Sequence, residues 1–520
     1  MTCTNTCFFL LGLTPLLTMI ILILKVKMPI HYAVLSTLFI TLILATLFWH
    51  TSVQDLGYAV VYGAIKGLWP IVIVILAAIY SYNLMNATKS MNMLRNVLAG
   101  VSDDKRIQVL LISWCFGGFL EAAAGYGTAV AIPIGILIAL GFNPLKAAIA
   151  SLVANTVPTA FGAVGIPVSV LAEQVNLPVT TLSGTIILQL ALFNILLPFV
   201  IVAIIGGGMK AIRGVGLITL MCGVSTLIPQ YLVAVYLGAE LPAFAGSLVS
   251  LIVIVIMAKS RKEKTEAEFL IEASGDSADA LSYSRGALLR ACSIYILIFL
   301  FILLCSPLFP TVKSAVSQIA SSLSFPLTDG NNLSMKIEWI ATPGVLIIIA
   351  SFIGGLIQKA SVSCLLNVFV STVKQLKNSI IAISAIVAMA TVMDICGLIG
   401  TLAQSLVALT GGAYLFIAPV IGALGTFVTG SDTNSNILFG KLQTTAAEKL
   451  HVDPLWLAAA NTSGATGGKM ISPQSIAIAV SATRMDGQGS VIMSGTLKYC
   501  FAYIVILGLK VGLVYHLFMA

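Results

Sequence analysis

Long apolar stretches alternate with short polar connections along this chain of 520 residues. A helix needs roughly 20 apolar residues to cross a bilayer. Stretches near that length occur at about 7–24, 30–49, 59–84, 184–206, 214–237, 242–258, 287–306, 340–358, 376–394 and 494–516. Two further regions, 107–172 and 413–482, are apolar but interrupted by Gly, Pro and charged residues. The pattern predicts an all-α, polytopic membrane protein with about 12–14 transmembrane segments, some of them broken or re-entrant.

Composition agrees with that pattern. The chain is 59% hydrophobic and only 9% charged, with a mean hydropathy of +1.05, whereas soluble domains carry roughly 25% charged residues. The net charge of +8 does not indicate nucleic-acid binding, because the basic residues lie in short loops beside apolar stretches. The partner that composition predicts is the lipid bilayer.

Basic residues occupy alternate loops. They are Lys25 and Lys27; Lys89, Arg95, Lys105 and Arg106; Lys210 and Arg213; Lys259, Arg261, Lys262 and Lys264; and Lys359, Lys374 and Lys377. The loops between them, at 50–58, 173–183 and 238–241, contain neither Lys nor Arg. The positive-inside rule places the basic loops in the cytoplasm and predicts that both termini are extracytoplasmic. The first apolar stretch has no basic residue before it, so we interpret it as a retained span rather than a signal peptide.

Cysteine and histidine give no sign of a metal or cofactor site. The nine cysteines are Cys3, Cys7, Cys115, Cys222, Cys292, Cys305, Cys364, Cys396 and Cys500. None shows metal-ligand spacing, and a thiol in an apolar stretch behaves as a small hydrophobe. The four histidines are scattered along the chain. We therefore expect no metal, no cofactor and no disulfide.

One polar segment occurs twice. Asn155 and Thr156 begin a Gly- and Pro-containing run that reaches Ser169, and Asn461 and Thr462 begin a matching run that reaches Ser475, 306 positions later. Irregular polar backbone at membrane depth persists only where protein or a water-filled cavity satisfies its N–H and C=O groups. Matching interruptions in two halves of a chain indicate the substrate site of a secondary transporter.

Loop charge indicates that the two halves are inverted. The connector after 59–84 contains Lys89 and Arg95, whereas the connector after 376–394 has no charge, so the first is predicted inside and the second outside. The predicted organisation is a transmembrane hairpin, inverted repeat 1, a second hairpin, a cytoplasmic linker, a third hairpin with an extracytoplasmic loop, and inverted repeat 2. Their ranges are 1–58, 59–206, 207–258, 259–286, 287–358 and 359–520.

Each half also contains an acid beside a glycine-rich break. Glu121 precedes Gly125 and Gly127, and Gly430 precedes Ser431, Asp432, Thr433 and Asn434. Such residues favour turns and helix N-caps. We therefore predict half-helix tips at Gly125, Gly127, Gly430 and Gly468, whose unpaired N–H groups suit an anion.

The membrane-embedded ionisable candidates are Glu121, Asp432 and Lys469, with Lys66, Lys146, Asp394 and Lys441 as further possibilities. Charges at the bilayer centre are costly and usually functional or paired. The alternatives are a buried ion pair or N-cap for the two acids and a snorkelling Lys469. The other lysines would then be interfacial, and Asn155 and Asn461 would be helix caps. The run 464–470 is not a phosphate loop, because Met470 stands where Ser or Thr must bind magnesium.

Several segments of the sequence resemble those of the bacterial L-lactate permease family. They are Cys115–Glu121, Ala154–Pro167, Thr429–Asn436, Gly468–Ala477, Tyr62–Pro70 and Glu240–Pro242, and the resemblance covers most of the chain. It implies an inner-membrane carrier, not an enzyme, that imports lactate, glycolate and related 2-hydroxy monocarboxylates with protons. Ala122, Tyr126, Thr128 and Ala129 depart from the residues more usual in the family, which bears on the exact substrate.

The resulting hypothesis is a proton-coupled monocarboxylate symporter. The predicted substrate-binding residues are Asn155, Thr156, Ser431, Thr433, Asn434, Asn461, Thr462, Lys469, Gln474 and Ser475. Glu121 or Asp432 is expected to carry the proton, with the other acid paired to Lys469. A sodium-coupled carboxylate carrier and a passive anion channel remain alternatives, since Ser, Thr and Asn clusters also serve those functions. An intramembrane enzyme is disfavoured, because no nucleophile–base pair is evident.

Overall fold

The structure, a computed structural model, describes residues 3–125, 127–261, 265–271 and 284–518. Tyr126, Lys262 and Lys264, which are named above, lie outside these ranges. The linker acids Glu263, Asp276 and Asp279 lie outside them as well. Within the described part, eleven helices are long and apolar enough to cross a membrane, and four shorter apolar helices accompany them. The prediction of an all-α polytopic membrane protein is confirmed.

In the first half, the described residues form twelve helices. They are α1 (Cys3–Ile20), α2 (Ile30–Leu47), α3 (Val53–Lys66), α4 (Ile73–Ala87), α5 (Ser90–Ala99), α6 (Lys105–Val109), α7 (Gly117–Ala123), α8 (Thr128–Ala139), α9 (Pro144–Ala154), α10 (Thr156–Thr159), α11 (Gly162–Val175) and α12 (Val179–Gly206). Short π-helical segments at Ile21–Lys25, Gly67–Val72 and Leu110–Phe116 extend or join some of them. The helices α13 (Gly216–Leu237) and α14 (Pro242–Ser260) follow as a hairpin.

The second half contains the remaining helices and one β-hairpin. They are α15 (Arg285–Leu304), α16 (Pro310–Ser317), β1 (Ala320–Pro326), β2 (Asn332–Glu338), α17 (Pro343–Ile357), α18 (Val362–Ile395), α19 (Leu398–Thr410), α20 (Tyr414–Thr429), α21 (Asp432–Leu450), α22 (Pro454–Lys469), α23 (Pro473–Thr483) and α24 (Gly489–Phe518). Single 3₁₀ turns occur at Met209–Ile212, Ala267–Phe269 and Gly411–Ala413.

Equivalent helices of the two halves make exchanged contacts. Helix α8 packs against α23 and α11 packs against α21, while α2 packs against α18 and α17 packs against α4. If α8 corresponds to α21 and α11 to α23, interchanging the two halves turns the contact between α8 and α23 into the contact between α21 and α11. A pseudo-two-fold relation predicts this exchange. The contacts agree with the predicted inverted repeats, whose bounds stay a prediction.

Small residues allow the two long central helices to approach closely. A methyl group at Gly63 of α3 would lie 2.5 Å from the Cα of Ala388 on α18, and one at Gly67 would lie 2.7 Å from the Cα of Ser384. Glycines spaced four residues apart commonly form such helix contacts in membranes. They hold α18 against the helices that form one wall of the cavity described below.

The antiparallel β-hairpin lies along α3 rather than forming a separate domain. The backbone N–H of Thr328, in its turn, donates to Asp55 at 2.9 Å, and Tyr62 donates to the carbonyl of Ser334 at 3.3 Å. At the far end, the indole of Trp69 donates to Thr342 at 3.1 Å. The sequence analysis predicted a loop here and missed the strands.

A buried charge cluster joins the start of the polar linker to the helices. Asp104 forms ion pairs of 2.8 Å with both Arg106 and Arg261, and the Arg106 side chain is fully buried. Phe269 covers the guanidinium at 4.0 Å, and Arg106 also donates to the carbonyls of Ala211 and Arg213. Burial would raise the pKa of Asp104, but hydrogen bonds from Arg106 and Arg261 and the charge of Arg106 outweigh it and lower that pKa below its usual value.

Replacing Asp104 with Asn is expected to destabilise the fold by about 3 kcal/mol, because Arg106 would remain buried without its counter-ion. The stabilisation that Asp104 gives the wild-type fold should persist from pH 8 to pH 5. It should fade below the ordinary aspartate pKa of about 3.9, because the lowered native pKa keeps the wild-type carboxylate ionised above that pH. Unfolding in detergent across this pH range measures both effects. Glu338→Gln, in the exposed Lys336–Glu338 pair, is the control and should cost less than about 1 kcal/mol.

Candidate functional site

Four helix breaks, two from each half, meet around one cavity of about 300 Å³. They separate α7 from α8, α10 from α11, α20 from α21, and α22 from α23. The polar lining residues are Glu121, Thr159, Ser379, Thr429, Ser431, Asp432, Thr433, Asn434, Lys469 and Gln474. The glycine- and proline-containing breaks therefore form a shared site, as expected for irregular backbone that lines a cavity.

Glu121 lies in the last turn of α7, where the helix stops before Gly125 and Gly127 in left-handed conformations (φ +57° and +84°). It is 3% exposed, and its Oε2 has no hydrogen-bond partner among the described residues. Gly162 is pressed against it, since a methyl group there would lie 2.6 Å from Oε1. The Asn155 side chain also lies beside this carboxyl group.

The first turn of α11, just after the break that follows α10, contains three consecutive left-handed residues. Ala163, Val164 and Gly165 have φ of +44°, +60° and +74°. A β-branched residue in this region is a genuine outlier, and such strain is typically stored at functional sites. Gly165 meets the carbonyl of Ala239 so closely that no side chain would fit. Gly162 and Ala163, at the start of this turn, line the cavity beside Glu121.

In the second half, α21 begins at the cavity. Gly430 ends α20 with φ of +72°, and Ser431 caps α21 by accepting from the backbone N–H of Asn434 at 3.3 Å. Asp432 occupies the first turn, is 2% exposed, and neither of its carboxyl oxygens has a hydrogen-bond partner in the described part of the chain. The helix N-terminus adds a partial positive charge of about half a unit here.

Lys469 ends α22 and supplies the cation. Its Nζ donates to the carbonyl of Gly430 at 2.7 Å, which caps the C-terminus of α20. Its charge interacts with both Glu121 and Asp432, although none of the ion pairs within 4 Å in the described ranges joins it to either acid. Among the described residues lining the cavity, Lys469 is the one basic side chain.

Nine of the sequence-predicted site residues line the cavity. They are Glu121, Gly125, Gly430, Ser431, Asp432, Thr433, Asn434, Lys469 and Gln474. Seven others do not line it, namely Gly127, Asn155, Thr156, Asn461, Thr462, Gly468 and Ser475. The cavity therefore brings together the acids, the lysine and the α21 tip, whereas neither of the repeated Asn-Thr pairs lines it.

Asn461 and Thr462 hold helices together. Both donate to Oδ1 of Asn436 at 2.9 Å, and Asn461 accepts from Gln443 at 3.2 Å. Asn436 itself donates to the carbonyl of Pro167 at 2.9 Å. The amide and hydroxyl groups of Asn461 and Thr462 therefore bond within the protein, and their role as substrate contacts stays a prediction.

The remaining predicted residues lie near the cavity but face protein groups. Asn155 donates to Thr159 at 3.2 Å, while its Oδ1 lacks a partner within the described residues. Thr156 bonds to the carbonyl of Leu152, and Ser475 bonds to Ser472, the cap of α23. Gly468 and Gly127 are close-packing positions, against Ala423 and Ile478 respectively.

The other candidate charges lie away from the cavity lining. Lys66 pairs with Glu173 of α11 at 3.3 Å, and Lys146 donates to the carbonyl of Ile205 at 3.3 Å. Asp394 interacts with the charges of Lys441 and Lys66. These residues form structural contacts between helices rather than part of the cavity.

Sequence reasoning missed Thr159, Thr429 and the wall contributed by α4 and α18, which includes Ile75, Ala382 and Ile383. Thr159 lies four residues after Asn155, one helical turn along, and that spacing could have identified it. The α4 and α18 residues carry no local signal, because ordinary apolar span residues look the same in sequence whichever neighbour they face.

Comparison with known proteins places the chain in a family. The family described as L-lactate permease matches residues 8–518. An L-lactate permease of Streptococcus iniae is 42% identical over 450 residues, covering 86% of this chain and 93% of that protein. An L-lactate permease of Bacillus subtilis is 34% identical (95% and 93% covered), and the glycolate permease GlcA of Escherichia coli is 33% identical (96% and 94% covered).

A solved structure, that of the Alcanivorax borkumensis YdaH transporter, aligns over 82% of this chain and 88% of that chain. The TM-score is 0.34 and the sequence identity is 16%, too low to support a statement about the fold. The family match and the relatives are decisive on their own: they span nearly the whole chain, and the relatives are named as permeases, not enzymes. The chain is a member of the L-lactate permease family.

Proposed function

We propose that this protein imports L-lactate and related 2-hydroxy monocarboxylates, including glycolate, by proton symport across a bacterial inner membrane. Family membership and relatives named as L-lactate and glycolate permeases support the substrate class. The observation that supports proton coupling is the group of two buried acids and one lysine around the cavity.

The charge balance of this group favours moving a proton with the anion. With Lys469 and both acids ionised, the cavity carries one net negative charge, which repels a carboxylate. Protonating one acid makes the group neutral, and a bound monocarboxylate then restores a single negative charge. A buried charge without compensation is costly, so taking up an anion and a proton together avoids a change in net charge.

The substrate carboxylate is proposed to bind near Lys469 and the N-terminus of α21. Unpaired N–H groups and the helix dipole favour an anion there. Ser431, Thr433, Asn434 and Gln474 line the same end of the cavity and offer donors and acceptors for the 2-hydroxyl group. Asn155 is proposed to position Glu121 rather than to contact the substrate.

The cavity is proposed to open toward the cytoplasm in this structure. Ile23 and Ile30, which contribute to its lining, lie on either side of the basic loop with Lys25 and Lys27. The positive-inside rule places this loop in the cytoplasm. On the same rule, both termini are proposed to be extracytoplasmic.

Uptake into proteoliposomes with imposed gradients tests the proposal. An inward proton gradient should drive lactate accumulation, and collapsing the voltage alone should change it little, because one anion plus one proton carries no net charge. A full transported charge would instead couple by roughly 2.3 kcal/mol per 100 mV. Sodium-dependent uptake would show a sodium-coupled carrier, and absence of counterflow of labelled lactate would show a channel.

A further inference from the structure

We propose that the cavity contains an apolar subsite for the alkyl chain of 2-hydroxy acids longer than lactate. The subsite is formed by Ile75 of α4, Ala382 and Ile383 of α18, and Val428 of α20. This inference rests on the proposed function, since it places the substrate carboxylate at the polar end of the same cavity.

The part of the lining that α4 and α18 contribute is mostly apolar. The ionisable and amide side chains come from the broken helices, whereas α4 and α18 contribute three apolar side chains and Ser379. Ala382, Ile383 and Val428 are 3%, 7% and 6% exposed, so they face the cavity and their neighbours rather than an outer surface. A carboxylate held near Lys469 would therefore direct the remainder of the molecule toward an apolar wall.

The cavity is also larger than lactate requires. Lactate has six non-hydrogen atoms, which occupy on the order of 180 Å³ even at the ~30 Å³ that a water molecule takes in the liquid. The cavity volume of about 300 Å³ leaves room for several further carbon atoms. Apolar pockets with a few polar groups at one end commonly bind ligands in this manner.

Each methylene buried against the wall should improve binding about fourfold, since transferring a CH₂ group from water contributes about 0.8 kcal/mol. The test measures inhibition of labelled L-lactate uptake in proteoliposomes by glycolate, 2-hydroxybutanoate and 2-hydroxypentanoate. The expected half-inhibitory concentration falls about fourfold for each added carbon. A value that stays constant or rises from lactate to 2-hydroxypentanoate would overturn the proposal.

A pair of variants on α18 locates the effect. In Ile383→Ala, the fourfold fall in half-inhibitory concentration per added carbon should shrink toward no change. Ile381→Ala alters a side chain that is 43% exposed on the outer face of the same helix, and this variant should retain the fourfold fall. Equal gains in both variants would show that the wall is not the subsite. Even if Ile383→Ala folds poorly, inhibition of the wild-type protein by the series of 2-hydroxy acids still tests the proposal. Lactate uptake in the same vesicles separates the two proposals, because its absence would refute the transport function itself.

Discussion

Replacing Lys469 with Gln is expected to lower proton-driven lactate uptake at least about thirtyfold. Removing one member of a buried, hydrogen-bonded charge pair typically costs 2–5 kcal/mol, and each 1.4 kcal/mol is tenfold in affinity. The loss has two sources. The substrate carboxylate loses the one basic side chain among the described lining residues, and the carbonyl of Gly430 loses its donor at 2.7 Å.

Initial rates of uptake across a range of lactate concentrations, normalised to folded protein in the membrane, measure this effect. Lys469→Arg keeps the charge but replaces a compact ammonium with a planar fork, so it should retain only part of the activity. Lys449→Gln removes an exposed lysine in the C-terminal turn of α21 and should leave uptake unchanged. Wild-type kinetics in Lys469→Gln would refute the proposed anion site.

Much of the fold follows from local sequence signals. The apolar stretches predicted at 30–49 and 242–258 correspond to α2 and α14 within two residues at each end. The breaks at Gly125 and Gly430 coincide with left-handed glycines. A glycine adopts this conformation readily and ends one helix, and the capping residues that follow it favour the start of the next. The β-hairpin also had a local signal, Asp329–Gly330 between alternating residues, which is typical of tight turns.

The roles of repeated residues could not be predicted in the same way. Asn155 and Asn461 occupy equivalent positions, yet Asn155 lies beside Glu121 while Asn461 bonds to Asn436 and Gln443. Both partners lie on α21. Helix α8, which would correspond to α21 in the first half, has no amide side chain at the matching places. A repeat predicts equivalent backbone geometry, but the function of a side chain depends on residues elsewhere in the sequence.

The apolar wall shows the same limit at longer range. Ile381 and Ile383 are two residues apart on α18, and only the second lines the cavity. Their separation places them about 200° apart around the helix, but an apolar helix surrounded by lipid and protein gives no periodic signal for which face is inside. Only the packing of α18 against α3 and α4 determines that face.

Glu121→Gln is expected to abolish accumulation driven by a proton gradient while preserving exchange of lactate across the membrane. Of the two cavity acids, Glu121 is assigned as the proton carrier because it lies at the C-terminal end of the continuous helix Lys105–Ala123. The helix dipole there disfavours a negative charge, whereas at Asp432, in the first turn of α21, it favours one. Asp432 then remains the counter-ion of Lys469, and glutamine at position 121 mimics the protonated, anion-binding state.

With one proton per lactate, each pH unit of gradient should give about tenfold accumulation in the wild type, since one unit corresponds to 1.36 kcal/mol. In Glu121→Gln the ratio should fall to about one, while counterflow of labelled lactate continues and no longer depends on pH. Asp432→Asn should lose both activities, because it leaves Lys469 without its counter-ion. Glu448→Gln, an exposed acid on α21, serves as the control. Gradient-driven accumulation that survives in Glu121→Gln would show that the proton is carried elsewhere, because an amide at this position can neither release nor take up a proton during the cycle.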